Sequence, residues 1–223
     1  MCGIVGYIGH RDAYSVIIKG LQRFECSGYD RAGIVLFDGK ELKLSNTKGK
    51  VSDREAKAES EKNLFGKIGM GHTRWATHGV PNDVNSHPHF SNSGKLVIIH
   101  NGIIENYEPL KQELIKRGYT FKSDTDTEVL INLIEEVKKK ENCKLGKAVQ
   151  IALNQVIGAY AIAVIDVEKP DEIIVARLGS PLAIGIGEDE FFIASDATPL
   201  IEYTSNAIYL EDGEMANIRL HKP

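Results

Sequence analysis

Residues 159–166 read Ala-Tyr-Ala-Ile-Ala-Val-Ile-Asp and begin directly after Gly158. A short apolar run with this composition, bounded by a glycine, predicts a β-strand. Successive side chains of a strand point to opposite faces, and here both faces are apolar, so the strand must be covered on both sides. Similar patterns predict further strands downstream at 172–176, 182–186, 191–194, 207–210 and 215–220.

The part of the chain before Gly158 mixes strands with helices. Apolar spacing predicts helices at 13–24, 110–117, 128–140 and 145–156, and strands at 4–8, 32–37, 41–45, 67–70 and 96–100. A capping-box pattern predicts a polar helix from Ser52 to about Asn63. Residues 73–95 form a long irregular stretch, which in compact domains is usually functional. Antiparallel strands with a few helices indicate an α+β fold with stacked sheets enclosed by helices, and we expect one domain over residues 1–223.

Composition and charge exclude several classes of partner. The 223 residues carry 27 basic and 31 acidic side chains, a formal charge of −4, which gives no electrostatic reason to expect nucleic acid. No apolar stretch approaches the roughly 20 residues of a membrane span, so we expect no membrane partner. Three widely spaced cysteines indicate a reducing compartment, and we expect a cytoplasmic protein without a cofactor.

Cys2 is the first candidate for chemistry. If Met1 is removed, Cys2 becomes the N-terminal residue and supplies both a thiol nucleophile and a free α-amine. An α-amine has an ordinary pKa of roughly 7.7–8.0 and can act as a base near neutral pH. The alternative is that Cys2 is a small apolar residue at the start of a buried strand. Its companions elsewhere in the sequence favour the nucleophile.

Asn101-Gly102 follows the predicted strand at 96–100. An asparagine amide beside a glycine N–H can form an oxyanion hole, although the same dipeptide also makes ordinary turns. The loop that contains Arg74 adds a guanidinium, which binds carboxylates with two parallel hydrogen bonds. At the start of a predicted helix, Thr125 or Asp126 either caps the helix or, for Asp126, pairs with a substrate ammonium. Together these groups describe a pocket for an amino acid with a side-chain amide.

An alternative interpretation of the histidines at positions 72, 78, 87 and 89 is that they bind a metal ion. Their spacing fits no strong zinc pattern, and no paired cysteine accompanies them. We therefore expect no metal. Cys26 and Cys143 are expected to be structural.

Several stretches together resemble one known family. They are residues 1–6, 72–79, 85–89, 100–106 and 123–128. The combination resembles the glutaminase domains of the glucosamine-6-phosphate synthases, which are class II glutamine amidotransferases, and the similarity runs through essentially the whole chain. It implies an N-terminal-nucleophile hydrolase fold, a four-layer αββα sandwich with two antiparallel sheets.

The resemblance also implies roles for individual residues. They are Cys2 as nucleophile, Asn101 and Gly102 as oxyanion hole, Arg74 and Thr77 on the glutamine carboxylate, Asp126 on its ammonium, and Trp75 and His78 around the pocket. The implied substrate is L-glutamine, and the implied acceptor of its ammonia is fructose-6-phosphate. The implied partners are a sugar-phosphate isomerase domain, in cis or in trans, and a second copy in a homodimer of the full enzyme.

The sequence departs from the family at residue 27. The family has an arginine there, near the catalytic cysteine, whereas this chain has Ser27 and carries an arginine at position 31 instead. Losing a guanidinium beside a thiolate should make the charged thiolate less stable or the position of the nucleophile less fixed. Two alternatives therefore stay open: a module that binds glutamine or glutamate with little turnover, and a hydrolase of the same fold that acts on another amide. Arg74 and Asp126 disfavour the second, since together they suit a free amino acid.

Overall fold

The strand predicted at 159–166 lies at the centre of a five-stranded antiparallel sheet in the structure, a computed structural model that describes residues 2–24, 31–48, 66–74 and 85–220. The strands of this sheet, called the second sheet below, are β5 (His89–Phe90), β6 (Leu96–Ile104), β7 (Gly158–Asp166), β8 (Glu172–Leu178) and β12 (Met215–Arg219). Across the sheet they lie in the order β12-β8-β7-β6-β5.

The first sheet has seven antiparallel strands in the order β11-β9-β10-β1-β4-β2-β3. They are β1 (Gly3–Ile8), β2 (Arg31–Phe37), β3 (Leu42–Lys48), β4 (Ile68–Arg74), β9 (Ala183–Gly187), β10 (Glu190–Ala194) and β11 (Ala207–Tyr209). The hairpin predicted around Asp38-Gly39 joins β2 to β3. Because β1 is central in this sheet, the chain start is held between two neighbouring strands, β4 and β10.

The described helices are α1 (Ala13–Gln22), α2 (Tyr107–Lys116), α3 (Asp126–Lys140) and α4 (Leu145–Leu153). Helix α1 packs on the outer face of the first sheet, where Ile17 and Leu21 share a core with Tyr7 and Ile34. Helices α3 and α4 cover the outer face of the second sheet. Among the described residues, no helix is both long and apolar enough to cross a membrane.

A third core fills the space between the two sheets. Ile4 and Met70 of the first sheet meet Val97, Ile99 and Ala163 of the second there. Burial of one such aliphatic side chain contributes about 1.5–3 kcal/mol, so this layer holds the sheets face to face. The predicted four-layer αββα sandwich with two antiparallel sheets is confirmed.

Three expectations need correction. Strand β6 does not stop before Asn101-Gly102 but continues to Ile104, because its ladder with β7 runs unbroken through both residues. Helix α2 begins at Tyr107 rather than at residue 110. Pro109 is tolerated in its first turn because the N–H groups there have no partner within the helix. The short strand β5 lies inside the stretch predicted to be irregular. The polar helix predicted at 52–63 lies outside the described residues.

Candidate active site at the start of the first strand

Cys2 lies half-buried immediately before β1. The next two backbone N–H groups donate to side chains of the flanking segments: Gly3 to Thr73 Oγ1 at 2.9 Å and Ile4 to Ser195 Oγ at 3.0 Å. A side chain at Gly3 would lie 2.4 Å from the ring of Phe24, so only glycine fits there. These contacts fix the backbone that carries the Cys2 thiol.

Asn101 reaches Cys2 from the opposite sheet. Its Nδ2 donates to the Cys2 carbonyl oxygen at 2.8 Å, across 99 positions of sequence. Asn101 follows Val97 and Ile99 on the face of β6 that packs toward the first sheet, because side chains alternate along a strand. An amide donor predicted from the sequence thus lies beside the predicted nucleophile.

Gly102 lies inside β6, opposite Tyr160 of β7. Its φ is +131°, and a Cβ at this position would lie 2.1 Å from the carbonyl oxygen of Ala159. No other residue type fits without displacing the neighbouring strand. The packing of β6 against β7 therefore requires a glycine directly after Asn101.

Asp126 is the first residue of α3 and does not cap it. Thr125 is the N-cap, and its Oγ1 accepts from the Glu128 N–H at 3.2 Å. The Oδ2 of Asp126 accepts from the backbone N–H of Ile104 at 2.7 Å, two residues after Gly102. A carboxylate has further lone pairs for other donors. Of the two roles that the sequence left open for Asp126, the structure therefore excludes capping.

Buried histidines connect Asn101 to the start of α3. His72 of β4 places Nε2 at 2.9 Å from Asn101 Oδ1, and its ring lies 4.2 Å from the ring of His87. Thr127 Oγ1 lies 3.1 Å from His87 Nε2 and 2.9 Å from His100 Nδ1. His72 and His100 were not predicted to have these roles. The sequence signal that could have pointed to them is that both lie in stretches that resemble the family, His72 in residues 72–79 and His100 in residues 100–106.

Burial lowers the pKa values of two of these histidines, His72 and His100. It lowers the pKa of His72 to about 4, although the hydrogen bond with Asn101 works in the other direction. Burial likewise lowers the pKa of His100, while the nearby charge of Asp126 raises it. His72 is therefore neutral at physiological pH. Within the described ranges, no group of three or more His, Cys, Asp or Glu side chains has an arrangement that could hold a metal ion.

The structure describes part of the predicted glutamine-binding set. It brings Cys2, Asn101, Gly102 and Asp126 into one region, linked by β6. For Arg74 only the main chain is described, as the last residue of β4. The remaining predicted residues, Trp75, Thr77 and His78, lie outside the described residues, as do Cys26 and Ser27.

Comparison with protein families places most of the chain in one of them. Residues 42–221 match the family described as "Glutamine amidotransferase domain". Two relatives carry the name glutamine–fructose-6-phosphate aminotransferase (isomerizing). The protein of Bacteroides thetaiotaomicron is 60% identical over 223 residues, and that of Thermococcus kodakarensis is 50% identical over 217 residues. These matches cover 100% and 97% of this chain but 36% of each relative.

Solved structures show the same architecture. The glutamine phosphoribosylpyrophosphate amidotransferase of B. subtilis, complexed with ADP and GMP, matches with a TM-score of 0.78 and 29% identity. A structure described as the allosteric regulatory enzyme of purine biosynthesis matches with a TM-score of 0.81 and 29% identity. Each match covers 100% of this chain and 50% of the other.

Proposed function

Since this chain belongs to the class II glutamine amidotransferase family and has its N-terminal-nucleophile hydrolase fold, we propose that it hydrolyses the side-chain amide of L-glutamine through Cys2. The products are glutamate and ammonia. The observation that carries the proposal is the contact between Asn101 Nδ2 and the Cys2 backbone, which joins an amide donor to the nucleophile.

Removal of Met1 exposes the α-amine of Cys2. That amine takes the proton of the thiol as sulfur attacks the amide carbon of glutamine. Negative charge then develops on the former carbonyl oxygen, where Asn101 Nδ2 and the Gly102 N–H stabilise it. The tetrahedral intermediate collapses to a glutamyl thioester as the protonated amine gives its proton to the amide nitrogen, which leaves as ammonia. Water attacks the thioester and releases glutamate and the thiol.

The proposed binding groups fit both ends of a free amino acid. The guanidinium of Arg74 and the hydroxyl of Thr77 hold the α-carboxylate, and Asp126 accepts the α-ammonium, while Trp75 and His78 complete the pocket. Asp126 supports this role because its position is fixed by the Ile104 N–H at 2.7 Å. The same bond ties the ammonium site to β6, the strand that carries Asn101.

The names of the relatives support a destination for the ammonia. Glutamine–fructose-6-phosphate aminotransferases consume ammonia from glutamine, and this chain spans about a third of their length, at 36%. We propose that this domain supplies ammonia for glucosamine-6-phosphate synthesis from fructose-6-phosphate. Its partner is a sugar-phosphate isomerase domain, in cis or in trans, and the full enzyme forms a homodimer.

Glutamate release from L-glutamine tests the proposal. Mass spectrometry first establishes that Met1 is absent from the purified chain. We expect turnover that disappears in Cys2→Ala and is unchanged in Cys143→Ala, the matched control, because Cys143 packs against the helical side of the second sheet. Turnover by Cys2→Ala at the wild-type rate would contradict the mechanism.

Ser27 motivates a second candidate, a module that binds glutamine or glutamate with little turnover. On this candidate, calorimetry detects binding of either amino acid while the wild-type rate stays low. The double substitution Ser27→Arg with Arg31→Ser then restores a fast rate. A fast wild-type rate rejects this candidate.

A further inference from the structure

His72 is a buried group that the proposed mechanism does not use. It lies on β4 opposite Ile4 of β1, and 2% of its surface is exposed. From there its side chain crosses to the second sheet, where Nε2 lies 2.9 Å from Asn101 Oδ1. His72 therefore contacts the side chain of Asn101, which also contacts the Cys2 backbone.

The chemistry of the two contacts fixes the direction of both hydrogen bonds. A carbonyl oxygen only accepts, so the group of Asn101 that faces the Cys2 carbonyl must be its NH₂. The amide oxygen then faces His72, and it also only accepts, so His72 Nε2 must carry a proton and donate. A flipped amide would place two acceptor oxygens against each other at Cys2.

We propose that His72 is the positioning residue of the oxyanion hole: its Nε2–H holds the amide of Asn101 with Nδ2 directed toward the Cys2 backbone, beside the nucleophile. The inference rests on the proposed function. His72 does not touch the substrate in this role, and it neither gives nor takes a proton during turnover. It acts by keeping the donor of Asn101 in place before negative charge develops, which is the requirement for electrostatic stabilisation of a transition state.

The surroundings of His72 suit a fixed, neutral donor. Among the described residues, the titratable groups near it are His87, whose ring lies 4.2 Å away, and the buried His89 and His100. Burial lowers the pKa of His72 to about 4, and the nearby His100 and His89 act in the same direction, while the hydrogen bonds with Asn101 and with the His100 backbone raise it. The imidazole thus keeps one proton over the pH range in which a glutaminase works, and the contact with Asn101 assigns that proton to Nε2.

His72→Phe tests the role, because phenylalanine keeps a ring against His87 but removes the donor. Loss of one whole oxyanion-hole donor costs about 10²- to 10³-fold in kcat, so a misdirected donor should cost about 10- to 100-fold. We expect KM for glutamine and Kd for glutamate to stay within about twofold, since neither depends on the oxyanion. His72→Gln, which supplies an amide N–H at a similar reach, should recover most of kcat.

A double-substitution cycle separates positioning from general structural damage. In the Asn101→Ala background there is no amide to orient, so His72→Phe should have no further effect on kcat. An undiminished loss in that background would overturn the inference, as would wild-type kcat in His72→Phe. In protein labelled with ¹⁵N-histidine, NMR should find the proton of His72 on Nε2, and a proton on Nδ1 alone would likewise overturn it.

The two proposals fail in different ways. No glutamate release by the correctly processed wild-type chain would overturn the proposed function and, with it, the role of His72 in turnover. Wild-type turnover that depends on Cys2 and Asn101 but not on His72 would leave the function standing and overturn the inference alone.

Discussion

Gly102 on β6 and Gly158 on β7 lie diagonally across one antiparallel ladder, where Gly102 pairs with Tyr160 and Gly158 with Ile104. Their φ angles are +131° and +135°, and a Cβ on either would lie 2.1 Å from a carbonyl oxygen of the other strand. For Gly102 that oxygen belongs to Ala159, and for Gly158 it belongs to Ile103. Neither position therefore admits a side chain without displacing the backbone of the other strand, and both lie beside the proposed oxyanion hole.

This relationship predicts the effect of Gly102→Ala. The matched control is Gly94→Ala, because Gly94 has a φ of +76° but open space around its Cβ. Left-handed backbone costs a residue with a Cβ about 1–2 kcal/mol, which both variants should lose. Overpacking should cost Gly102→Ala a further 1–3 kcal/mol or so. Urea unfolding measures the unfolding free energy of both variants. An equal loss in the two would contradict the prediction, because it would mean that β7 moves aside at no energetic cost.

Thr73→Val should slow turnover by loosening the backbone beside Cys2. The substitution keeps the shape of the buried side chain but leaves the Gly3 N–H without its acceptor. An unsatisfied buried donor costs about 1–3 kcal/mol of unfolding free energy. Thr73→Ser keeps the hydroxyl and is the control. We expect lower stability and lower kcat only in the valine variant. Equal kcat in both would mean that this hydrogen bond does not position the nucleophile.

Asp126→Asn should raise KM for glutamine while the fold stays intact. The asparagine keeps an oxygen for the Ile104 N–H but loses the charge proposed to bind the α-ammonium. A hydrogen bond to a charged group is worth about 1.5–3 kcal/mol, so KM should rise about 10- to 100-fold. Glutaramate, which lacks the α-ammonium, serves as the control substrate. Its kcat/KM should be the same in both proteins, and an equal loss for both substrates would refute the assignment.

The unfolding free energy should fall as the pH is lowered from about 6.5 toward 4. The folded-state pKa of His72 is lowered to about 4 by burial, so in this window the unfolded chain binds more protons than the folded one. The loss from His72 approaches about 3 kcal/mol at the acid end of the window. His100, whose pKa is also lowered by burial, acts in the same direction. Urea unfolding at several pH values should show that the unfolding free energy depends less steeply on pH in His72→Gln than in the wild type. Parallel curves would exclude His72 as a source of the acid destabilisation.

Much of the fold was predictable from local pattern. The apolar run at 159–166, the Asp38-Gly39 hairpin and the helix at 128–140 each carry their own signal, because strand and helix periodicity are properties of neighbouring residues. The error at the end of β6 falls where tertiary pairing overrides a local rule. Asn101-Gly102 has the composition of a turn, yet β7 pairs with it and continues the strand to Ile104.

The sequence by itself determined which chemical groups this protein has: a cysteine at position 2, an Asn-Gly pair and an aspartate near the start of a helix. It also determined, through its motifs, which family they belong to. Only the tertiary structure decided their partners. The Asn101 amide lies between Cys2 and His72, and Thr125 rather than Asp126 caps α3. The physical reason is that local propensity extends over a few residues, whereas the hydrogen bonds of Asn101 with Cys2 and His72 join residues of different sheets and exist only once the sheets have packed.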